Sequence, residues 1–282
     1  GARSAWIDIA GLAVELEGLP DALADSMAAR YHPYIGPASG ACDALRIEVV
    51  SAPVDYFLVP GFPGKAETYR VVTALEGTMF RSVSYWLAAW FDTGLRAGQV
   101  ALGHGDLDPL PRAMENFLRS AIAWLAIDRG GFLLHGASIV RDGACFLFYG
   151  PSGAGKSTLA AMSPGGTVIS DDLTLLLGTP GGLRAAGGPF RGTYTAGAPV
   201  VGTFPVAGLY RLRKDSRTRV EADDGGCFAD LVGNLPFVVD LLPGRPDLID
   251  RVRSLVEGTR LRYLHFGRGR DFWTAIDAER GV

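Results

Sequence analysis

Cysteine is scarce: of 282 residues only Cys42, Cys145 and Cys227 are Cys, widely spaced and with no C-x-x-C pair. Neither a disulfide frame nor a zinc site is expected, and a reducing, cytoplasmic setting suits such a chain. Charge of one sign is also lacking. Lys and Arg number 27 against 30 Asp and Glu, a formal net charge of −3, which speaks against a general nucleic-acid surface. No apolar run approaches the ~20 residues of a membrane span, and no basic segment followed by an apolar one opens the chain, so neither a membrane partner nor a signal peptide is expected. There is no internal repeat and no low-complexity tract. Apolar residues, by contrast, make up 48% of the chain, ample for a core, and the length suits one large or two unequal domains.

Glycine is where the chemistry gathers. The stretch "FLFYGPSGAGKSTLA" (Phe146–Ala160) contains G-x-x-x-x-G-K-[ST] from Gly150 to Ser157, the spacing of a phosphate-binding loop. Glycines let successive backbone N–H groups turn inward, and with the positive end of a following helix they form an anion site. Ser152, Gly153, Ala154, Gly155, Lys156, Ser157 and Thr158 are the candidate nucleotide-binding residues. Lys156 would reach the β- and γ-phosphates of ATP, and the Ser157 hydroxyl would ligate Mg²⁺. The flanks agree: residues 144–149 read as a buried strand, and Ser157 onward can start a helix.

Two domains are expected, an N-terminal one over 1–107 and one carrying the phosphate loop over 108–282. "WIDIAGLAVEL" around Gly11 reads as a strand pair or bent strand. "LPDALADSMAARY" reads as a helix, with Leu19, Leu23 and Met27 on one face. Strand-like runs follow at 44–50, 56–60, 68–75 and 79–90, so this part reads as a mostly antiparallel α+β unit. The clearest helix starts at Asp108 or Pro111. It carries an apolar stripe of Met114, Phe117, Leu118, Ala121, Ile122 and Leu125, and stops at Gly130-Gly131. Strands "FLLHGASIV" and "ACFLFY" join through Arg141-Asp142-Gly143, a hairpin-type turn. "GTVISDDLTLLLG" reads as two strands around Asp171-Asp172. A strand over 206–214 and a helix near 247–257 complete the reading, with loops at 178–199 and 243–246.

Other groups gain meaning beside the loop. A phosphate-loop enzyme needs one acid at a neighbouring strand end to hold Mg²⁺ through water. A second adjacent carboxylate in Asp171-Asp172 suggests another job, such as taking a proton from an attacking hydroxyl; alone, the pair would read as a solvated turn. His135, inside an apolar strand, fits a satisfied core residue or a group that orients a carboxylate or touches the transferred phosphoryl. Arg191, in "GGPFRGTY", is a surface arginine or a charge that neutralises the transition state. His32, His104 and His265 have no partner identifiable from sequence. Arg211, Arg213, Lys214, Arg217 and Arg219 read mainly as a solvated face, with contact to an acidic substrate as the alternative.

Together, "LLHGASIV", "FLFYGPSGAGKSTLA" and "VISDDLTLL" resemble the HPr kinase/phosphorylase family, and more closely its HPr-kinase-related members, among them lasso-peptide kinases. The resemblance is firm over 130–177. It implies a phosphoenolpyruvate-carboxykinase-like core, with an α/β phosphate-loop domain beside the smaller α+β domain. It implies catalytic positions for His135 and Asp171, with Asp171 as proton acceptor, and assigns Ser157 and Asp172 to Mg²⁺. Arg191-Gly192 loosely matches a family Arg-Gly loop. Two departures separate the chain from HPr kinases proper: Thr158 stands where they commonly carry Glu, and the glycine-rich signature after the Arg is not clearly kept. The expected activity is ATP- and Mg²⁺-dependent transfer of phosphate to a hydroxyl, serine first, on a peptide or small protein such as a lasso-peptide precursor. A small-molecule kinase of the same fold, a nucleotide-binding regulator and a generic phosphate-loop hydrolase stay open as alternatives, as does a homo-oligomer.

Overall fold

The computed structural model describes residues 2–36, 43–57, 71–103, 109–190, 192, 194, 197–267 and 272–281. The chain divides into two compact units, 1–125 with 240–246, and 126–239 with 247–282.

In the N-terminal unit, β1 (Ala2–Ile9) and β2 (Leu12–Pro20) form an antiparallel hairpin across Ala10-Gly11. Helix α1 (Asp21–Tyr31) follows and buries Leu23, Ala24, Met27 and Tyr31, one stripe of a helix of period 3.6. Next come β3 (Ile35–Gly36), β4 (Leu45–Ala52), β5 (Val71–Glu76), β6 (Met79–Ser84), β7 (Leu87–Asp92) and β8 (Ala97–Gly103). The sheet order is β3-β1-β2-β4-β8-β7-β6-β5. Among the described residues of this sheet only the β2–β4 and β4–β8 pairs are parallel.

Two sequence expectations change here. The run 79–90 is not one strand: it turns at Tyr85-Trp86, with Trp86 at φ 56°, and returns as β7. No Gly or Asn marks that turn, so the usual hairpin signal is missing. Within 56–60, Tyr56 ends a short 3₁₀ turn, Val54–Tyr56, and residues 58–60 lie outside the described residues.

Helix α2 (Pro109–Asp128) buries the whole expected stripe. Polar bonds register it on the sheet: Ser120 Oγ lies 3.0 Å from Ser82 Oγ, and Asn116 Nδ2 donates to Ser84 Oγ at 2.8 Å. Its buried Glu115 pairs with Arg30 and, at 2.7 Å, with Arg119, so that carboxylate is not left unpaired in the interior.

The C-terminal unit opens with the hairpin β9 (Phe132–Arg141) and β10 (Ala144–Tyr149). Then come α3 (Lys156–Ala161), β11 (Thr167–Ser170), β12 (Leu173–Thr179), β13 (Gly182–Ala186), β14 (Thr203–Lys214) and β15 (Arg219–Ala222). The chain ends through α4 (Gly226–Gly233), α5 (Val238–Leu241), α6 (Leu248–Val256), β16 (Leu261–Phe266) and α7 (Phe272–Arg280). Strand β13 lies inside the stretch 178–199 expected to be loop. Its buried Leu183 and Ala185 sit among glycines that mask the alternation.

The ladder runs β10-β9-β12-β13-β14-β16-β15, with β11 also on β9. Strand β10 pairs β14 as well, so the ladder closes on itself through β9, β12, β13, β14 and β10. Strands β10, β14 and β16 are mutually parallel. Phe146 and Phe148 of β10, Tyr210 and Leu212 of β14 and Phe266 of β16 share a core with Leu159 of α3 and with Phe272, Trp273 and Ile276 of α7. Trp273 meets Phe146 edge-on at 5.0 Å between centroids, a favoured aromatic geometry. The protein is thus a mixed α/β chain with two multi-stranded sheets. Among the described residues no helix is long and apolar enough to cross a membrane.

Candidate phosphate-loop site

Strand β10 ends at Tyr149, and the chain runs through Gly150–Gly155 into α3. Gly153 and Gly155 take φ of 77° and 104°, values that side chains rarely adopt. A Cβ on Gly155 would lie 2.9 Å from Phe266 Cε1, so the loop passes closer to β16 than any larger residue allows. A Cβ on Gly153 would meet nothing within 4 Å, so this part of the loop borders open space. Helix α3 has only 6 residues, so its dipole is a minor part of the site. The loop's N–H groups and Lys156 carry the positive character instead.

Lys156 is buried, and its Nζ donates to the carbonyls of Gly150 at 2.8 Å and Pro151 at 3.2 Å. Burial pushes its pKa down. The Asp172 charge opposes that shift, and Arg211 adds to it. An ammonium in this setting gains from any anion that replaces carbonyls as its partner.

Three parallel strands end together here. Beyond β10 is the loop, β14 ends at Lys214 with Asp215 beyond it, and beyond β16 is Gly267. A cleft of about 520 Å³ lies between them, lined by Gly153, Gly155, Thr158, Lys214, Asp215 and Phe266 among others. An adjoining hollow of about 500 Å³ runs over Ser152 to Arg211, Arg213 and His265. Crevices outside the carboxyl ends of parallel strands are where α/β sheets bind ligands.

Arg211 is a correction to the solvated-face reading. Its side chain is mostly buried, it pairs with Asp230 at 2.7 Å, and its Nη1 would sit 3.1 Å from a Cβ on Gly150. Arg213 lies over the Tyr263 ring at 3.4 Å. Asp215 accepts from Arg219 at 2.6 Å, and this bond first, then the Arg217 amide, holds its carboxyl well below the usual range. His265 also has partners: Nδ1 is 3.3 Å from Asp215 and Nε2 is 2.7 Å from Glu221.

His135 is on β9, opposite Leu173 of β12. Its side chain is 44% exposed, which removes the core reading, and its Nε2 lies 3.6 Å from Asp172 Oδ1. Asp171 and Asp172 occupy the bend between β11 and β12, and their carboxylates part. Asp172 faces His135 and acts on the Lys156 charge. Asp171 is buried; its Oδ1 accepts from Gly192 N at 2.9 Å and its Oδ2 from Tyr194 N at 2.7 Å. The carboxylate expected as proton acceptor therefore has both oxygens on backbone donors. The one expected only at the metal stands beside the histidine.

Arg191 lies outside the described residues, as do Cys42 and His104. Cys145 and Cys227 are buried free thiols, and burial pushes both up, Cys227 to about 12. Among the described residues no group of three or more His, Cys, Asp or Glu side chains gathers to hold a metal. Ser157 and Asp172 offer the oxygen donors that Mg²⁺ prefers, in the small number usual where phosphates and water complete the shell.

Sequence reasoning gave Arg211 and Lys214 mainly to a solvated face and missed Asp215 and Phe266 as parts of the site. They are brought to the loop by pairings distant in sequence; the only local sign was a strand ending in Lys-Asp or Phe-Gly. No known family model matches the chain, and no curated protein is significantly similar to it in sequence.

Proposed function

We propose that this chain is an ATP- and Mg²⁺-dependent phosphotransferase that phosphorylates a hydroxyl, serine first, on a peptide or small protein. The observation that carries the reading is the loop Gly150–Ser157 beyond a parallel strand, with Lys156 in it and the His135–Asp172 pair nearby. In this reading Lys156 exchanges the Gly150 and Pro151 carbonyls for nucleotide phosphates. The bare glycine backbone lets the phosphates approach. Ser157 and Asp172 would hold Mg²⁺, which supplies charge neutralisation at the phosphates. The acceptor's proton passes to the His135–Asp172 pair, whose Asp172 also acts on the Lys156 charge. Lys156 and Arg211 favour the negative charge that develops on the transferred group. Arg191 would add to this on the strength of its sequence position alone.

The C-terminal unit is read as a core of the phosphoenolpyruvate-carboxykinase kind, supported by its mixed sheet with a phosphate loop after β10. A protein that only sensed nucleotide would need no pair like His135–Asp172.

The test is incubation with Mg·ATP and serine-containing peptides encoded beside the gene, followed by mass spectrometry. Phosphate on a serine hydroxyl is the expected result. ATP binding with no phosphate on any peptide would move the reading to a regulator. Phosphate appearing on a metabolite instead would move it to a small-molecule kinase.

A further inference from the structure

We propose that Asp171 is a positioning residue: its carboxylate clamps the segment 187–194 to the end of β11 and does not take the acceptor's proton. The clamp stands on geometry alone; its consequence for phosphoryl transfer rests on the phosphotransferase reading above.

The bend that carries Asp171 is itself fixed. Ser170 Oγ donates to the Leu173 carbonyl at 2.8 Å and accepts from the Asp172 amide at 3.3 Å. From this bend the Asp171 side chain reaches the two amides of Gly192 and Tyr194. Such a bond to a carboxylate is roughly twice as strong as one between neutral groups.

The segment is shaped to receive it. A Cβ on Gly192 would stand 2.7 Å from Asp171 Oδ2 and 3.1 Å from its Cγ, so only glycine admits the carboxylate at this distance. A Cβ on Gly187 would stand 2.2 Å from the Ile169 carbonyl oxygen, so the segment also lies directly on β11. Phe190 is buried, and Tyr194 packs against the core that includes Ile139 and Phe146. The chain is thus fastened at Gly187 and Phe190 and again at Gly192 and Tyr194. Each Asp171 oxygen already holds one backbone N–H, and the side chain is buried. Asp172 is 3.6 Å from the His135 imidazole.

Hydrogen exchange read by mass spectrometry, on the parent and on Asp171→Asn and Gly192→Ala, tests this. Asn keeps the size but has one acceptor oxygen in place of two. Gly192→Ala leaves both aspartates intact and forces the clamp apart. In both variants amides within 187–197 should exchange about tenfold faster, the weight of one bond to a charged group, with exchange over 150–157 unchanged.

With Mg·ATP as probe, both variants should keep the parent's nucleotide affinity. Both should lose turnover by similar factors and retain the acid limb of the parent's pH–rate profile. Unchanged exchange at 187–197 in either variant overturns the clamp. Loss of turnover and of the acid limb in Asp171→Asn alone, with Gly192→Ala fully active, makes Asp171 the proton acceptor and overturns the proposal. If Asp171→Asn fails to fold, Gly192→Ala decides by exchange and turnover. If the parent binds no Mg·ATP, the phosphotransferase reading falls and exchange alone decides the clamp.

Discussion

Strand β4 of the N-terminal unit buries Leu45, Ile47 and Val49 and turns Arg46 and Glu48 to water, whereas β10 of the C-terminal unit is buried from Cys145 through Tyr149. The first pattern belongs to a sheet with one wet face. The pairs of that sheet are mostly antiparallel and joined by short turns such as Tyr85-Trp86, although β4 itself pairs β2 and β8 in parallel. The second belongs to a strand covered on both sides, antiparallel to β9 and parallel to β14. Parallel neighbours need crossovers, and crossovers collect loops at one end of the strands. This is why Lys156, Arg211, Lys214 and Asp215 meet in one unit. In the other unit Val72 and Val83 are exposed as cross-strand partners, and the exposed Trp90 stands opposite Arg81.

The comparison breaks first at the level of chemistry. Asp172→Asn should lower phosphoryl transfer by roughly 10²–10⁴, the usual worth of a positioned acid or base. Glu48→Gln, which removes a carboxylate from the exposed face of β4, should leave kcat unchanged. Equal losses from the two would mean that the activity does not belong to the C-terminal unit.

Packing is the next level. Phe148→Ala in the doubly covered strand should cost about 3–5 kcal/mol. Val83→Ala, at 40% exposure on β6, should cost less than about 1 kcal/mol. Denaturant midpoints followed by exchange in each unit measure both, and similar costs would erase the distinction between the two kinds of strand.

Glycines sharpen the contrast further. Gly155→Ala meets both an unfavourable φ of 104° and the Phe266 ring, and should cost about 1–3 kcal/mol and weaken nucleotide binding. Gly77→Ala, at φ 59° in open space in the β5–β6 turn, should cost about 1 kcal/mol. Melting temperatures of both variants, and Mg·ATP affinity of the first, are the readouts.

The smallest effect is one of pH. Burial lowers the Lys156 pKa below the ordinary 10.5. Between the lowered value and 10.5 the unfolded chain holds a proton that the folded chain has shed, so folding stability rises with pH there. The stability of the parent relative to Lys156→Met should therefore climb across this alkaline window and be flat below it. A flat difference throughout would mean that the lysine is not desolvated.

Local signals carried much of the fold. Alternation about Gly11 left a strand pair or a bent strand, of which the pair is found, the stripe from Met114 to Leu125 gave α2, and Gly150–Ser157 gave the loop after its strand. Features set by partners distant in the chain did not show. Strand β8, "AGQVALG", has little β-branched content and owes its place to β4 and β7. Strand β13 hides among glycines, and the β10–β14 pairing that closes the ladder has no local sign. The pair Asp171-Asp172 shows the same limit at the site. Two identical letters could be given different jobs from sequence, but which faces His135 and which faces Gly192 is fixed by the bend between β11 and β12.

The central claim is that Gly150–Ser157 holds a nucleoside triphosphate through Lys156. Titration calorimetry of the parent and of Lys156→Ala with Mg·ATP tests it most directly. The account predicts a saturable single site in the parent and an affinity lower by at least about tenfold in a variant that remains folded, since a hydrogen bond to a charged group is lost. No binding by the parent, or equal affinity in the two proteins, would contradict it.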